Sequence, residues 1–336
     1  MNKPPFELNN NILNLVANIT KRIGYIEGQL DKKQSLHLRK VSKIKSINSS
    51  TAIEGNTLTE DEVISILQGK MVVAPRNEIQ EVKNAYNAYD NISKFKEYDV
   101  NSFLEAHKLL TADLIKESGK FRNGNVGIYD GLRCVHMGAK PEYVPNLIKG
   151  LFKWAKDTDV HPLVKACIMH FEIEFIHPFA DGNGRIGRLW QSLILYNYNN
   201  IFEYLPIETL VYKHQQEYYK ALSVSSNLAN STHFIEFMLD MILQTIENFN
   251  LQSKYKNLID KFKLELSSND KKILTKLFEY FEKEETINIE IANELLGKNS
   301  ANIRRYFRKF IELEILIPEG ENKARIYKIN KKIFEN

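Results

Sequence analysis

Cysteine, proline, glycine and long apolar runs are all scarce in these 336 residues, and each scarcity excludes something. Two cysteines, Cys134 and Cys167, cannot build a disulfide scaffold or, by themselves, close a zinc site. No apolar run approaches the roughly 18 residues of a membrane span, so no membrane partner is expected. Charge of one sign is lacking too. The 46 basic and 42 acidic side chains leave a net charge of +4, which forces neither a nucleic-acid nor a membrane partner. No repeat of solenoid length occurs. The start, Met1-Asn2-Lys3-Pro4-Pro5-Phe6-Glu7, lacks a charged-then-apolar signal, which predicts a cytoplasmic location. What is present is ordinary for a folded chain. Hydrophobic residues make up 43% and charged residues 26%, enough for a sizeable core, and the length suits two or three globular units.

Nine prolines and fifteen glycines leave long helical stretches, so punctuation is informative where it occurs. Ile12, Leu15, Val16, Ile19, Ile23 and Ile26 follow helical spacing, and the pattern runs on through Val41, Ile44 and Ile47 to Gly55-Asn56, residues that tolerate a left-handed helix end. Thr59 with Glu62 has capping-box spacing and opens a helix that should stop near Gly69. Further helices are expected over 78–95 and 102–115. Val126, Ile128, Leu132 and Cys134 flank Asp130-Gly131, a dipeptide suited to the tight turn of a hairpin. Two unusually apolar helices follow, one over 162–175 and one carrying Ile186, Leu189, Trp190, Leu193 and Ile194. Helices apolar nearly all round are central ones.

Beyond about Leu251 the pattern changes. A charged helix over 254–266 leads to Ser267-Ser268-Asn269-Asp270, a capping cluster. Three short helices and two strands, 315–317 and 325–329, then follow in the order of a winged helix-turn-helix. Arg304, Arg305, Arg308 and Lys309 cluster on its third helix, the element that would enter a major groove, but Glu312, Glu314, Glu319 and Glu321 come close behind.

The loop between the two buried helices carries the chemistry. It reads His177-Pro178-Phe179-Ala180-Asp181-Gly182-Asn183-Gly184-Arg185-Ile186-Gly187-Arg188. Gly182 and Gly184 let backbone N–H groups turn inward as an anion nest, and the following helix adds its positive end. Arg185 and Arg188, three apart, can reach one polyphosphate. Asp181 offers a hard oxygen for Mg2+, and His177 a base near neutral pH. A P-loop is not indicated, and an EF-hand fails at the positions of Arg185 and Ile186. His170, Glu174 and His177 have a spacing that suggests metal ligands, but a satisfied core histidine with a surface glutamate is the expected state of the first two.

This segment matches the Fic motif H-x-F-x-[DE]-G-N-G-R-x-x-R at every specified position, so the chain resembles the Fic family over roughly residues 5–250. Ser118-Gly119-Lys120-Phe121-Arg122 with the hairpin resembles the family's flap. Tyr218-Tyr219 lies where relatives carry aromatic residues near the nucleotide base. Ser50-Thr51-Ala52-Ile53-Glu54-Gly55-Asn56 resembles the inhibitory motif [ST]-x-x-x-E-[GN]. The fold implied is mainly α, a Fic helical core with a β-hairpin flap and a small C-terminal winged helix-turn-helix. Its segments are an inhibitory N-terminal region (1–100), the catalytic core (101–250) and the winged helix (265–336).

The activity implied is transfer of AMP from ATP to tyrosine, threonine or serine hydroxyls of proteins. His177 would deprotonate the hydroxyl and Asp181 hold Mg2+. Gly182, Asn183 and Gly184 would cradle the phosphates through backbone and the Asn183 side chain, while Arg185 and Arg188 neutralise the β- and γ-phosphates. Gly184, where a kinase-like toxin branch has lysine, favours AMP transfer. Ser50 and Glu54 would restrain the enzyme, Glu54 by pairing with Arg188. The same glutamate is also suited to activating water for AMP removal. Partners implied are ATP, a protein target including the chain itself, a second copy of the chain, and DNA or a protein for the winged helix. The alternative is a winged-helix DNA-binding regulator whose Fic site senses nucleotide.

Overall fold

The computed structural model describes residues 3–27, 35–130, 133–281, 284–321 and 325–334. They form two compact units, Met1–Glu247 and Asn248–Asn336. Among the described residues no helix is long and apolar enough to cross a membrane.

The first unit is helical: α1 (Asn10–Glu27), α2 (Ser35–Ile53), α3 (Glu60–Leu67), α4 (Arg76–Asp90), α5 (Val100–Thr111), α6 (Val144–Asp157), α7 (Pro162–Ile176), α8 (Asn183–Tyr198), α9 (Ile207–Lys213), α10 (Gln215–Leu228) and the start of α11 (Thr232–Lys261). Local chemistry sets the boundaries. After α2 the chain turns at Gly55, whose φ of 95° suits glycine. Thr59 and Glu62 make the capping box of α3 in both directions. Pro162 stands in the first turn of α7, where its missing N–H costs nothing.

The helix expected over 102–115 is displaced toward the N-terminus. Asp99 caps it by accepting from the Asn101 and Ser102 N–H groups, and Ala112 leaves the helix before a left-handed Asp113. The hairpin pairs β1 (Gly127–Asp130) antiparallel with β2 (Arg133–Met137). Of the expected Asp130-Gly131 turn, Asp130 closes β1 and residue 131 lies outside the described residues.

The centre of this unit is α7 packed on α8. Phe103, Phe152 and Trp190 are fully buried around them, with Phe103 5.1 Å from Trp190 and 5.3 Å from the fully buried Phe179 of the intervening loop. That aromatic cluster fixes both ends of the loop. Full burial of side chains this large stabilises by about 1.5–3 kcal/mol each.

The second unit holds α12 (Ser268–Phe281), α13 (Ile289–Leu296), α14 (Ser300–Glu312) and a two-stranded antiparallel sheet, β3 (Leu316–Glu319) with β4 (Ile326–Ile329). Ser267 and Asp270 cap α12 reciprocally. Gly297, left-handed at φ 60°, ends α13. Phe307 and Phe310 of α14 sit in the core with Leu274, Leu277 and Tyr327, and Ile287 adds a single antiparallel bridge to Tyr327.

Candidate active site

Helix α7 ends because His177 turns left-handed, at φ 53° and ψ 63°, and Pro178 cannot continue it. Such a conformation in a residue other than glycine must be held from outside. Arg122 holds it. Its Nε donates to His177 O at 2.6 Å, Nη1 to Gly124 O at 2.7 Å and Nη2 to Ala139 O, while its backbone N–H bonds Pro178 O at 3.0 Å. The residue after the hairpin, Gly138, lies so near that a β-carbon there would stand 3.3 Å from His177 Cβ. The segment that resembles a flap is therefore locked to the loop by backbone contacts. His177 Nδ1 lies 3.3 Å from Glu174 O, and since a carbonyl only accepts, Nδ1 carries the proton and Nε2 is the basic nitrogen.

The loop is braced from inside. Asn183 accepts from Phe179 N–H and donates to Phe179 O, both at 2.9 Å, and is 2% exposed. The side chain expected to cradle phosphate is engaged on the loop's own backbone. His107, outside the motif, is the second brace. Its ring stacks on Phe179 at 3.6 Å, its Nδ1 accepts from Gly119 N–H, and its Nε2 therefore carries the proton donated to Asp181 O at 2.9 Å. Burial lowers its pKa to about 4, so the ring is neutral. Gly182, at φ 82°, starts α8, and Ile186 N–H is the first to bond back, to Gly182 O. The donors before it, those of residues 183–185, lie outside the helical ladder, as an anion nest requires.

Both arginines of α8 are held by carboxylates. Arg188 Nη2 donates to Glu54 Oε1 at 2.6 Å and Ser50 O at 3.0 Å, and Nε to Ser50 Oγ at 3.1 Å. The pairing raises the Arg188 pKa despite its burial. Glu54 stands just past the last helical residue, Ile53, rather than inside the final turn of α2. Its carboxylate lies against Gly184, over the first turn of α8. Gln215 Nε2 and Tyr219 Oη both donate to Ile53 O, at 2.8 and 2.9 Å, pinning the residue before Glu54. Arg185 pairs with Glu81 of α4 at 2.5 Å and with Asp181 at 3.2 Å. Nothing in the sequence pointed to Glu81. Its partner is a hundred residues away.

Glu174 corrects a second expectation. It is buried, not at the surface, and burial together with the nearby Glu54 carboxylate raises its pKa to about 7. His170 is the satisfied core histidine expected. Its Nδ1 meets Gln191 Oε1 at 2.5 Å and its Nε2 meets Tyr218 Oη at 3.0 Å, and burial lowers its pKa to about 3. No cluster of three metal-ligating side chains occurs among the described residues. Tyr218 is fully buried against His170 and so has no face to offer a base, whereas Tyr219 is 47% exposed. The polar break that His107 makes in the apolar stripe of Phe103, Ala106 and Leu110 was the one signal that would have exposed it.

Residues 97–195 match the model of the Fic/DOC family. Among curated proteins, the chain is 33% identical to Protein adenylyltransferase fic-1 of Caenorhabditis elegans over 204 residues, 56% of this chain and 37% of that protein. It is 27% identical to Protein adenylyltransferase Fic of Nematostella vectensis over 233 residues, 66% of this chain and 51% of that one. The chain thus spans about two-fifths to a half of these relatives. Among solved structures, a Fic family protein from Desulfovibrio desulfuricans G20 matches with TM-score 0.69 and 33% identity over 98% of both chains. Fic-1 of C. elegans matches with TM-score 0.62 and 22% identity over 73% of each, a likeness of fold.

Proposed function

Since the chain belongs to the Fic/DOC family, we propose that it is a protein adenylyltransferase that moves AMP from ATP to tyrosine, threonine or serine hydroxyls, its own included, and that Glu54 restrains it. One observation carries the reading. A basic histidine at the end of α7 and an anion nest at the start of α8 share one braced loop, and a carboxylate of the chain itself lies over that nest.

In the reaction, the target hydroxyl oxygen attacks the α-phosphorus while His177 Nε2 takes its proton. The bond from that phosphorus to the oxygen bridging to the β-phosphate breaks, and pyrophosphate leaves. Asn183 and Gly184 supply backbone N–H groups to the phosphates, Gly182 turns the chain into that nest while its own N–H is spent on Asp181, and Arg185 and Arg188 oppose the charge of the β- and γ-phosphates. Asp181 fits Mg2+. It is the loop's exposed carboxylate, with one oxygen engaged by Gly182 N–H and Arg185, and Mg2+ commonly takes one or two protein carboxylates together with phosphates. When bound, the ion neutralises phosphate charge. The left-handed His177, fixed by Arg122, keeps the imidazole at the loop.

Restraint follows from occupancy. Glu54 takes the Arg188 Nη2 that the γ-phosphate needs and adds negative charge at the helix terminus where phosphates would bind. ATP then binds with its phosphates misplaced. A carboxylate is also chemically suited to activating water for removal of AMP.

The test is incubation of wild type, Glu54→Gly and His177→Ala with α-labelled ATP and Mg2+ in lysate, followed by mass spectrometry of labelled proteins. Glu54→Gly is expected to transfer at least tenfold more label than wild type, and His177→Ala none. Equal labelling by Glu54→Gly and wild type would defeat the restraint. Undiminished labelling by His177→Ala would defeat the catalytic role.

The second unit favours an added binding function. Its order of three helices and a hairpin supports a winged helix, and Arg304 and Arg308 of α14 are exposed. Lys309 is not part of that face, being paired with Asp270 at 2.7 Å. DNA binding would fall steeply with salt and survive His177→Ala, whereas a protein partner would show a shallower salt dependence.

A further inference from the structure

Arg185 lies between two carboxylates of opposite character. Nη1 bonds Glu81 Oε1 at 2.5 Å, and Nη2 reaches Asp181 Oδ1 at 3.2 Å. The Glu81 side chain is 14% exposed and that of Asp181 59%. The second oxygen of Glu81 accepts from Asn56 Nδ2 at 2.8 Å. Asn56 follows Glu54 by two residues, and the next residue, Thr57, gives both its N–H and its O–H to Glu78, at 2.7 and 2.9 Å. One turn of α4 therefore grips the segment that carries Glu54 and, through Glu81, the guanidinium of Arg185.

We propose that Glu81 is a positioning residue for nucleotide binding: it anchors Arg185 by Nη1 so that Nη2 stays at the anion loop, and it ties that anchor to the turn bearing Glu54. The assignment rests on the adenylyltransferase reading above. Nη2 borders the loop directly, since a β-carbon on Gly182 would stand 3.6 Å from it. A planar guanidinium pinned at one end of its fork keeps its orientation, and less freedom is lost when the other end binds. The two carboxylates divide the work by exposure. Asp181, in water, can release Nη2 when a cation binds it. Glu81, only 14% exposed, cannot surrender Nη1 without leaving its charge largely out of water with Asn56 as its remaining partner. Burial already pushes the Glu81 pKa up, with Arg185 opposing it.

A competing role makes the opposite prediction. If Glu81 only competed with phosphate for Arg185, removing its charge would tighten nucleotide binding. The test uses the full chain carrying Glu54→Gly, which clears Arg188, with calorimetric titration of ATP, ADP and AMP in Mg2+. Adding Glu81→Gln is expected to weaken ATP and ADP five- to tenfold and leave AMP within twofold, because AMP lacks the β-phosphate that Arg185 would meet. Glu81→Asp, which keeps the charge, should recover at least half of the loss, and serves as the comparison should the glutamine variant fail to fold. Tighter ATP binding, unchanged affinities, or an equal loss for all three nucleotides would overturn the assignment. So would failure of the Glu54→Gly chain to bind ATP. Failure of the adenylyltransferase reading shows separately, as absence of label transfer by Glu54→Gly at saturating ATP.

Discussion

The Glu54 carboxylate lies against Gly184 so closely that a β-carbon on residue 184 would overlap Glu54 Oε1. The same β-carbon would meet Arg188 Nη1 at 3.0 Å and Glu174 Oε1 at 3.2 Å. Glycine is needed here for space, since residue 184 lies in α8 and its φ is not among the positive ones.

Gly184→Ala therefore expels Glu54 yet leaves its own methyl over the first-turn N–H groups. It should release no activity. In label-transfer assays the single variant is expected to stay at or below wild type, and Glu54→Gly with Gly184→Ala to run at least tenfold below Glu54→Gly alone.

Glu174 should make stability depend on pH in a defined direction. Its folded-state pKa, about 7, lies above the ordinary carboxylate value of 4.5, so the folded chain holds this proton more tightly than the unfolded one. Its contribution is complete below about pH 4.5 and is lost as pH rises through 7. Glu174→Gln, permanently neutral, should match wild type near pH 4 and exceed it at pH 8 by on the order of 3 kcal/mol. Urea unfolding at the two pH values measures the difference.

His107 acts with the opposite sign. It is a base whose pKa folding lowers from 6.5 to about 4, so the unfolded chain takes up the proton first and stability drains as pH falls from 6.5 toward 4. His107→Ala loses the stack on Phe179 and orphans Gly119 N–H, at a cost of about 2–4 kcal/mol at pH 7.5. That deficit should narrow between pH 6.5 and 4, where only wild type carries the histidine. Thermal or urea unfolding of both proteins across this range is the check.

Arg122 is 4% exposed and spends its guanidinium on the carbonyls of His177, Gly124 and Ala139. Arg122→Ala should leave these acceptors unmet and let residue 177 relax from its left-handed conformation. With Glu54→Gly as background, label transfer should drop at least tenfold although His177 is untouched, and unfolding should come about 1–3 kcal/mol sooner.

Some of this is legible in the sequence because it is local. A capping box at Thr59 and Glu62, a glycine at the end of α2 and two helices apolar all round depend on neighbours within one or two turns, where side-chain spacing and backbone allowance decide. Asn183 is less legible for a related reason. The residue type fits both a phosphate contact and a loop brace, and only the position of the Phe179 backbone chooses between them. Glu174 departs from the rule that a lone carboxylate in an apolar helix is usually at the surface.

The sequence by itself determined a helical core and a glycine-hinged loop between two buried helices, and its resemblance to the Fic family pointed to Glu54 as a partner for Arg188. Tertiary structure alone decided that Glu54 lies over Gly184, that Glu81 takes one end of Arg185, and that Tyr218 is sealed in the core while Tyr219 is open. The reason is separation along the chain. Periodicity and capping act over a few residues, whereas Glu54 meets Arg188 across 134 positions and Glu81 meets Arg185 across 104, and such meetings exist only once the helices have packed.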